Sequence, residues 1–300
     1  MAITAATVTG DFSGFLSPDQ SGPIFDRARR TSVVQQLARQ VPLGASGVEI
    51  PVVTSKPSAG WVAEAGQKPA SKGAMSLKTM TPKKLAAITV VSAEVVRANP
   101  GNYMNIYREN VAEAFAIAFD SAALHGTSTP FGTFIDQTTK TVEIGTATGA
   151  TGGIHTDINA GLKLLVDAGK RLTGFAFDAV AEPLFNAAVD TTGRPLFIDS
   201  PLSETAEVVR AGRILGRPAF VGEGVATAPN GTIGYAGDWT QAAWGVVGGI
   251  TYDVSTEATV TINGALTSLW ENNLVAIRAE AEYGWLVNDV AAFVEYTNAT

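Results

Sequence analysis

The chain has 300 residues, of which 46% are apolar and only 16% charged, enough for one large domain or two smaller ones to bury roughly three quarters of their unfolded surface. It has no cysteine, which excludes disulfides, thiolate metal sites and cysteine nucleophiles. The net charge of −7 argues against a general nucleic-acid binder, whose affinity rests on cations that release phosphate counterions. There is no basic segment followed by an apolar run at the N-terminus and no uninterrupted span of about 18 apolar residues, so secretion and membrane crossing are not expected and a soluble, cytosolic product is.

In chain order, residues 1–22 are small and polar and read as a flexible arm. A short amphipathic helix follows, with Ser32 as cap and Val33, Val34, Leu37 and Val41 at helical spacing, until Pro42 and Gly44 end it. Val48 to Val53 has strand composition, with Pro51 favouring an edge. Ser55 to Lys84 is basic: six lysines (56, 68, 72, 78, 83 and 84) face one acid, Glu64, and the total of −7 leaves −12 for the rest of the chain. Strand-like pieces at Gly60 to Ala65 and Met75 to Thr79 flank a turn region, which predicts a long two-stranded excursion with hardly any apolar face of its own. Such a hairpin is marginal alone in water; its lysines are either a solvated surface or a face that lies on an acidic neighbour.

Leu85 to Val91 returns as a buried strand into a helix, a break and a long helix. Ser92 caps the first, and Asn99-Pro100-Gly101 ends it. From Asn102, Tyr103, Tyr107, Val111, Phe115 and Ala122 fall on one stripe with Met104, Ile106 and Ala118 beside it, and Gly126 closes a rod of about 36 Å. Arg108, Glu109, Glu113 and Asp120 mark its wetter side. Downstream, Asp157 is expected to cap a helix carrying Ile158, Leu162, Leu165 and Val166 that ends at Gly169. A strand (174–177), a helix (179–189), a turn at 190–196 and strands at 219–221 and 232–236 follow. The tail adds strands at 274–283 and 284–287 and an alternating segment at 291–296. This mixture predicts an α+β or α/β domain near 157–265.

No catalytic constellation emerges. Gly169-Lys170-Arg171-Leu172 lacks the upstream glycine and the hydroxyl of a phosphate loop, no Gly-x-Ser-x-Gly elbow occurs, and His125 and His155 do not carry a zinc pattern. His125 ends the long helix, where a cation suits the dipole. His155 is expected at the start of the Asp157-capped helix. The acid pairs Glu109/Glu113, Glu204/Glu207 and Glu280/Glu282 read as solvated faces. No catalytic, cofactor-binding or metal-binding residue is therefore assigned.

Taken together, the segments resemble the major capsid proteins of tailed phages, the Hong Kong 97-like fold. Trp61, Glu64, Pro69 and Ser71 resemble the family's long loop, and Lys84-Leu85 with Val91 to Val96 its loop-to-helix transition. Asp120, Ala122, Leu124, Gly126, Pro130 and Gly132 resemble the end of its spine helix. Gly193 to Leu196, Leu215 to Pro218 and Gly237 to Trp239 resemble its marks near the capsomer axis, and Asn273, Arg278, Trp285, Val287, Ala292 and Phe293 its closing segment. Glu282 and Asp289 depart from the pattern, where a basic residue and Pro are common. The likeness runs from about Ser32 to Tyr296.

The resemblance implies an α+β fold of four parts: an N-terminal arm (1–54), an extended loop (55–84), a peripheral domain with the spine helix (85–156 and 266–300) and an axial domain (157–265). It implies a non-enzymatic structural protein without cofactor that assembles with itself through hexamers and pentamers into an icosahedral head. Trp61, Glu64, Lys68, Lys72, Lys78, Lys83 and Lys84 of the extended loop are then inter-subunit contacts. The implied partners are a portal and either a separate scaffolding or decoration protein or none. The shell encloses DNA without reading its sequence, does not engage a membrane, and is built in the host cytoplasm to become part of the virion. An isopeptide bond from Lys68, Lys72 or Lys78 has no assignable Asn and Glu partner. An encapsulin-like compartment, or a stand-alone hydrolase or sugar-binding module, are the competing readings.

Overall fold

The computed structural model describes residues 7–10, 32–62, 64, 66–98, 103–126, 128–147, 152–187, 198–199, 210–226 and 231–298. Its organising element is a five-stranded sheet in the order β1 (Thr7–Gly10), β5 (Lys83–Ser92), β15 (Leu274–Val287), β12 (Ala242–Ser255), β2 (Arg39–Gln40). The two central strands, 14 residues each, pair antiparallel and set Trp244 opposite Trp285. β15 is one continuous strand, in place of two shorter ones on either side of Gly284. β12 has no counterpart in the sequence reading, because Gly245 and the Gly248-Gly249 pair interrupt the alternation that marks a strand. The segment read as a flexible arm contributes β1, which pairs parallel to the open edge of β5 at Val91 and Ser92.

The long helix α3 (Tyr103–Leu124) lies on this sheet. After the short α1 (Val33–Leu37) and α2 (Ala93–Ala98), it is the main helical element of this core. Tyr107, Val111 and Phe115 are buried as expected, and Ala112, Ala116, Phe119 and Ala123 join them. Ala118 and Ala122 stand only half-buried, so the buried stripe is turned toward Phe119. The Phe119 ring meets Phe131, Trp244, Tyr283 and Trp285 at centroid distances of 6.2, 6.3, 5.1 and 6.0 Å, mostly edge to face, a geometry that satisfies ring quadrupoles. Gly126 (φ +70°) ends the helix in the left-handed region, and a Cβ there would stand 2.5 Å from the Phe134 ring.

A second, seven-stranded sheet runs β6 (Thr141–Ile144), β16 (Phe293–Asn298), β11 (Thr232–Gly237), β7 (Gly174–Asp178), β10 (Arg217–Gly222), β9 (Arg210–Ile214), β8 (Ile198–Asp199). β7 and β11 are buried along their whole length. The period of two explains why: Phe175 and Phe177 pack under α4 (Ile154–Asp167) and α5 (Glu182–Ala187), while Ala176 and Tyr235 face the core shared with α3. β9 and β10 turn through Leu215 and Gly216, both at positive φ (49° and 73°), as a two-residue hairpin requires.

Several local expectations change. α1 is capped by Ser32, which accepts from Gln35 N, but it ends at Leu37, and Arg39–Gln40 leave it to pair with β12, so Val41 is outside the helix. Asp157 does not cap α4, whose N-cap is Gly153. Inside the first turn its carboxylate accepts from Gly145 N (2.8 Å), Thr146 Oγ1 (3.0 Å) and Ala147 N (3.4 Å), tying β6 to the helix. Val166 faces solvent. Asp120 is the largest departure: it is buried, not wet. The Asn99 to Asn102 break, the 190–196 turn and Glu204/Glu207 lie outside the described residues.

Candidate assembly interface

Beyond the sheets, β3 (Val48–Ser55) and β4 (Ala74–Met80) pair only with each other, in a two-stranded antiparallel sheet. β4 pairs back to Val48–Ser55, and Gly60–Val62 form no strand, so the hairpin stem begins earlier than the basic segment suggested. Its base is anchored by packing. Gly245 and Gly284 stand opposite each other in β12 and β15 and leave a notch in the sheet surface. Met80 and Leu43 fill it: a Cβ on Gly284 would lie 2.8 Å from Leu43 Cδ2 and 2.9 Å from Met80 Cγ, and one on Gly245 2.7 Å from Val41 O. Lys78 Nζ adds a hydrogen bond to the Asn288 carbonyl at 2.6 Å.

Outward of this anchor, none of the described residues gives the hairpin a core. The cross-strand pairs Pro51↔Leu77 and Val53↔Met75 share one face, and Val53, Leu77 and Met75 are 55%, 62% and 67% exposed. The tip is closed on itself: Ser71 Oγ accepts from Ser58 N and donates to Ser58 O, both at 3.0 Å, and Ser55 Oγ donates to Lys72 O at 3.3 Å. Trp61, at the tip, is fully exposed, and Glu64, Lys68 and Lys72 are exposed beside it. The apolar pairs of the stem and the Trp61 indole are thus left open on a hairpin too thin to be stable alone.

The seven loop residues named from sequence thus divide. Trp61, Glu64, Lys68 and Lys72 share the tip. Lys78 is bonded at the base, and Lys84 pairs with Glu280 of its own chain at 3.3 Å. Lys83 and Lys84 also border a groove of about 390 Å³ between β5, the C-terminal half of α3 and the 128–131 turn, lined by Leu85, Ala118, Phe119, Ala122, Phe131 and Tyr283. Sequence reading missed this groove, since its walls come from segments up to about 200 positions apart, and missed the apolar hairpin face. For the face a signal existed, the alternation of Pro51/Val53 and Met75/Leu77.

The buried titratable groups serve the scaffold. Asp120 is pushed up to about 7 by burial, against hydrogen bonds from Ser32, Val33 and Val34. Burial also lowers His125, whose Nδ1 lies 2.9 Å from Tyr235 Oη, while Tyr235 donates to Asp136 at 3.1 Å. His125 is therefore held toward its neutral form and not placed there as a cation for the helix dipole. His155 is exposed in the first turn of α4. Among the described residues no cluster of His, Asp and Glu could hold a metal ion, and no helix is long and apolar enough to cross a membrane.

The chain is 46% identical to the probable major capsid protein gp17 of Mycobacterium phage D29, over 97% of this chain and 92% of that protein. It is 45% identical to the gp17 counterpart of Mycobacterium phage L5 over the same shares. The fold superimposes on a chain of Gordonia phage Cozz with a TM-score of 0.71 at 26% identity, covering 90% of this chain and 87% of that one. The pattern of the phage capsid family matches residues 13–298, and the chain belongs to that family.

Proposed function

We infer that the chain is the major capsid protein of a tailed double-stranded DNA phage and assembles through hexamers and pentamers into an icosahedral head. The observation that carries this reading is the identity of 46% to a probable major capsid protein along nearly the whole chain. The hairpin supports it physically: a stem whose apolar pairs stand exposed among the described residues gains a core when it lies on another copy. Many modest contacts repeated around closed rings then stabilise the shell without a single tight pair.

Within this reading, 1–54 is the arm, 55–84 the extended loop, 85–156 and 266–300 the peripheral domain and 157–265 the axial domain. Strand pairing supports three adjustments: the loop's stem from Val48, β12 with the peripheral sheet, and β6 and β16 with the axial sheet. Trp61, Glu64, Lys68, Lys72, Lys78, Lys83 and Lys84 act at or beside subunit contacts, and the protein performs no catalysis and takes no cofactor. It is built in the host cytoplasm into the virion, joins a portal with or without a separate scaffolding or decoration protein, and encloses DNA without reading sequence; the chain's acidic balance limits adhesion to the packaged phosphates.

Purified protein should sediment as shells or capsomer rings and show closed particles by negative-stain electron microscopy. A species that stays monomeric with its phage partners co-expressed would overturn the reading, and small shells loaded with an enzyme would point to a cargo compartment.

A further inference from the structure

Two features of the surface are complementary. One is Trp61, fully exposed at the end of the hairpin, with Glu64, the one acid between positions 55 and 84, three residues away. The other is the apolar groove of about 390 Å³ beside α3, where the half-buried Leu85, Ala118 and Ala122 lie over the buried rings of Phe119, Phe131 and Tyr283 and whose border carries Lys83 and Lys84. Lys84 is already engaged by Glu280, while Lys83 stands exposed at the border.

We propose that this groove receives the Trp61 indole of a second copy of the chain, with that copy's Glu64 against the Lys83 ammonium. The inference rests on the assembly reading above and specifies its contact. Burying an indole against such a groove removes up to about 150–250 Å² of mostly apolar surface from water. Tryptophans in desolvated pockets are over-represented among the residues that anchor interfaces. Reach permits the contact: from Val48 to Trp61 the extended chain spans about 40 Å, against a radius of gyration near 19 Å for a domain of this length. The pair also orients the loop, because Lys68 and Lys72, on the far side of Glu64 from Trp61, would be repelled if they met Lys83.

The chain has no cysteine, so a pair of introduced thiols reports one contact only. Glu64→Cys with Lys83→Cys, in shells of the full chain and oxidised after assembly, is expected to give a ladder of covalent multimers on a non-reducing gel. Glu64→Cys with Lys163→Cys on α4 is the control and should give none. In parallel, Glu64→Lys and Lys83→Glu should each raise the concentration needed for half-assembly by about tenfold or more, and the double reversal should restore it. If shells form but the thiols close only within one chain or not at all, the proposal is overturned. It is likewise overturned if the double reversal assembles no better than the worse single variant, and this arm decides the matter should the thiol variant fail to assemble. Failure of the unaltered chain to assemble would instead count against the proposed function.

Discussion

Ser32 Oγ donates to the carboxylate of Asp120, 88 positions away, and the same carboxylate accepts from Val33 N at 2.8 Å and Val34 N at 3.4 Å. The spine helix thereby caps α1 from within its C-terminal half, and the start of α1 is tied to the centre of the fold. Replacing Asp120 by Ala leaves buried donors unmet, so urea unfolding should show a loss of about 1–3 kcal/mol. Proteolysis near residues 32–40 should accelerate with it. Asp120→Asn keeps one acceptor and should lose less.

The two buried titrating groups should pull pH dependence in opposite directions. Asp120 is held at about 7, above the ordinary 3.8, so its proton-linked stabilisation is full below about pH 4 and is lost as pH rises through 7. His125 is lowered from 6.5 by burial, opposed by the charges of Asp136 and Glu295. Its contribution is full above that value and is lost as pH falls below it. Urea midpoints at about pH 5, 6, 7 and 8 should then show Asp120→Asn losing the stability gained on acidification, and His125→Gln gaining it more steeply than the parent. Parallel profiles for all three proteins would contradict the assignment.

Phe119 is the ring that four other aromatics surround. Phe119→Ala should cost about 3–5 kcal/mol, because sheet and helix cannot collapse together to refill the space. It should also enlarge the groove beside α3, so assembly would suffer even where the subunit still folds at low temperature. Calorimetry on the subunit and sedimentation of the assembled sample separate the two effects.

The glycine notch makes a separate test of the hairpin base. Gly284→Val would drive a side chain into Leu43 and Met80 and should cost about 1–3 kcal/mol by overpacking. The damage should concentrate in the hairpin, visible as faster amide exchange across Val48–Ser55 and Ala74–Met80 than across β12 and β15. Uniform acceleration would mean the notch supports the whole sheet.

The loop lysines should separate by position. Lys68→Glu with Lys72→Glu leaves the melting temperature unchanged, since both are exposed, but impairs assembly. Lys78→Glu removes the bond to Asn288 O and should lower stability by about 1 kcal/mol as well. Normal particles from the Lys68/Lys72 reversal would remove these charges from the assembly contact.

Legibility followed the range of the interaction. The hairpin of β13 (Thr259–Ile262) and β14 (Ala265–Ser268), turning at Asn263 and Gly264 with φ of 51° and 82°, carries a local signal that the chain-order reading passes over: Asn-Gly between alternating strands. β12 is hidden for a different reason, because Gly245 serves Met80 and Leu43 and not the strand's own alternation. The rotation of the α3 stripe toward Phe119 depends on which aromatics the sheet brings to it.

Composition, helical spacing and turn residues determined on their own that this is a chain of mixed helices and strands with a long helix, a basic hairpin with hardly any apolar face of its own, and no cysteine chemistry, since each depends on neighbours within a few turns or strands; the choice of α+β over α/β came with the family resemblance. The order of motifs along the chain was enough to suggest the family. Only the tertiary structure decided that Asp120 is a buried cap, that Lys78 and Lys84 are engaged within their own subunit, and that Lys83 borders an apolar groove. Burial and pairing at those positions are set by segments about 35 to 210 residues away, and no local pattern encodes which distant surface will remove a side chain from water.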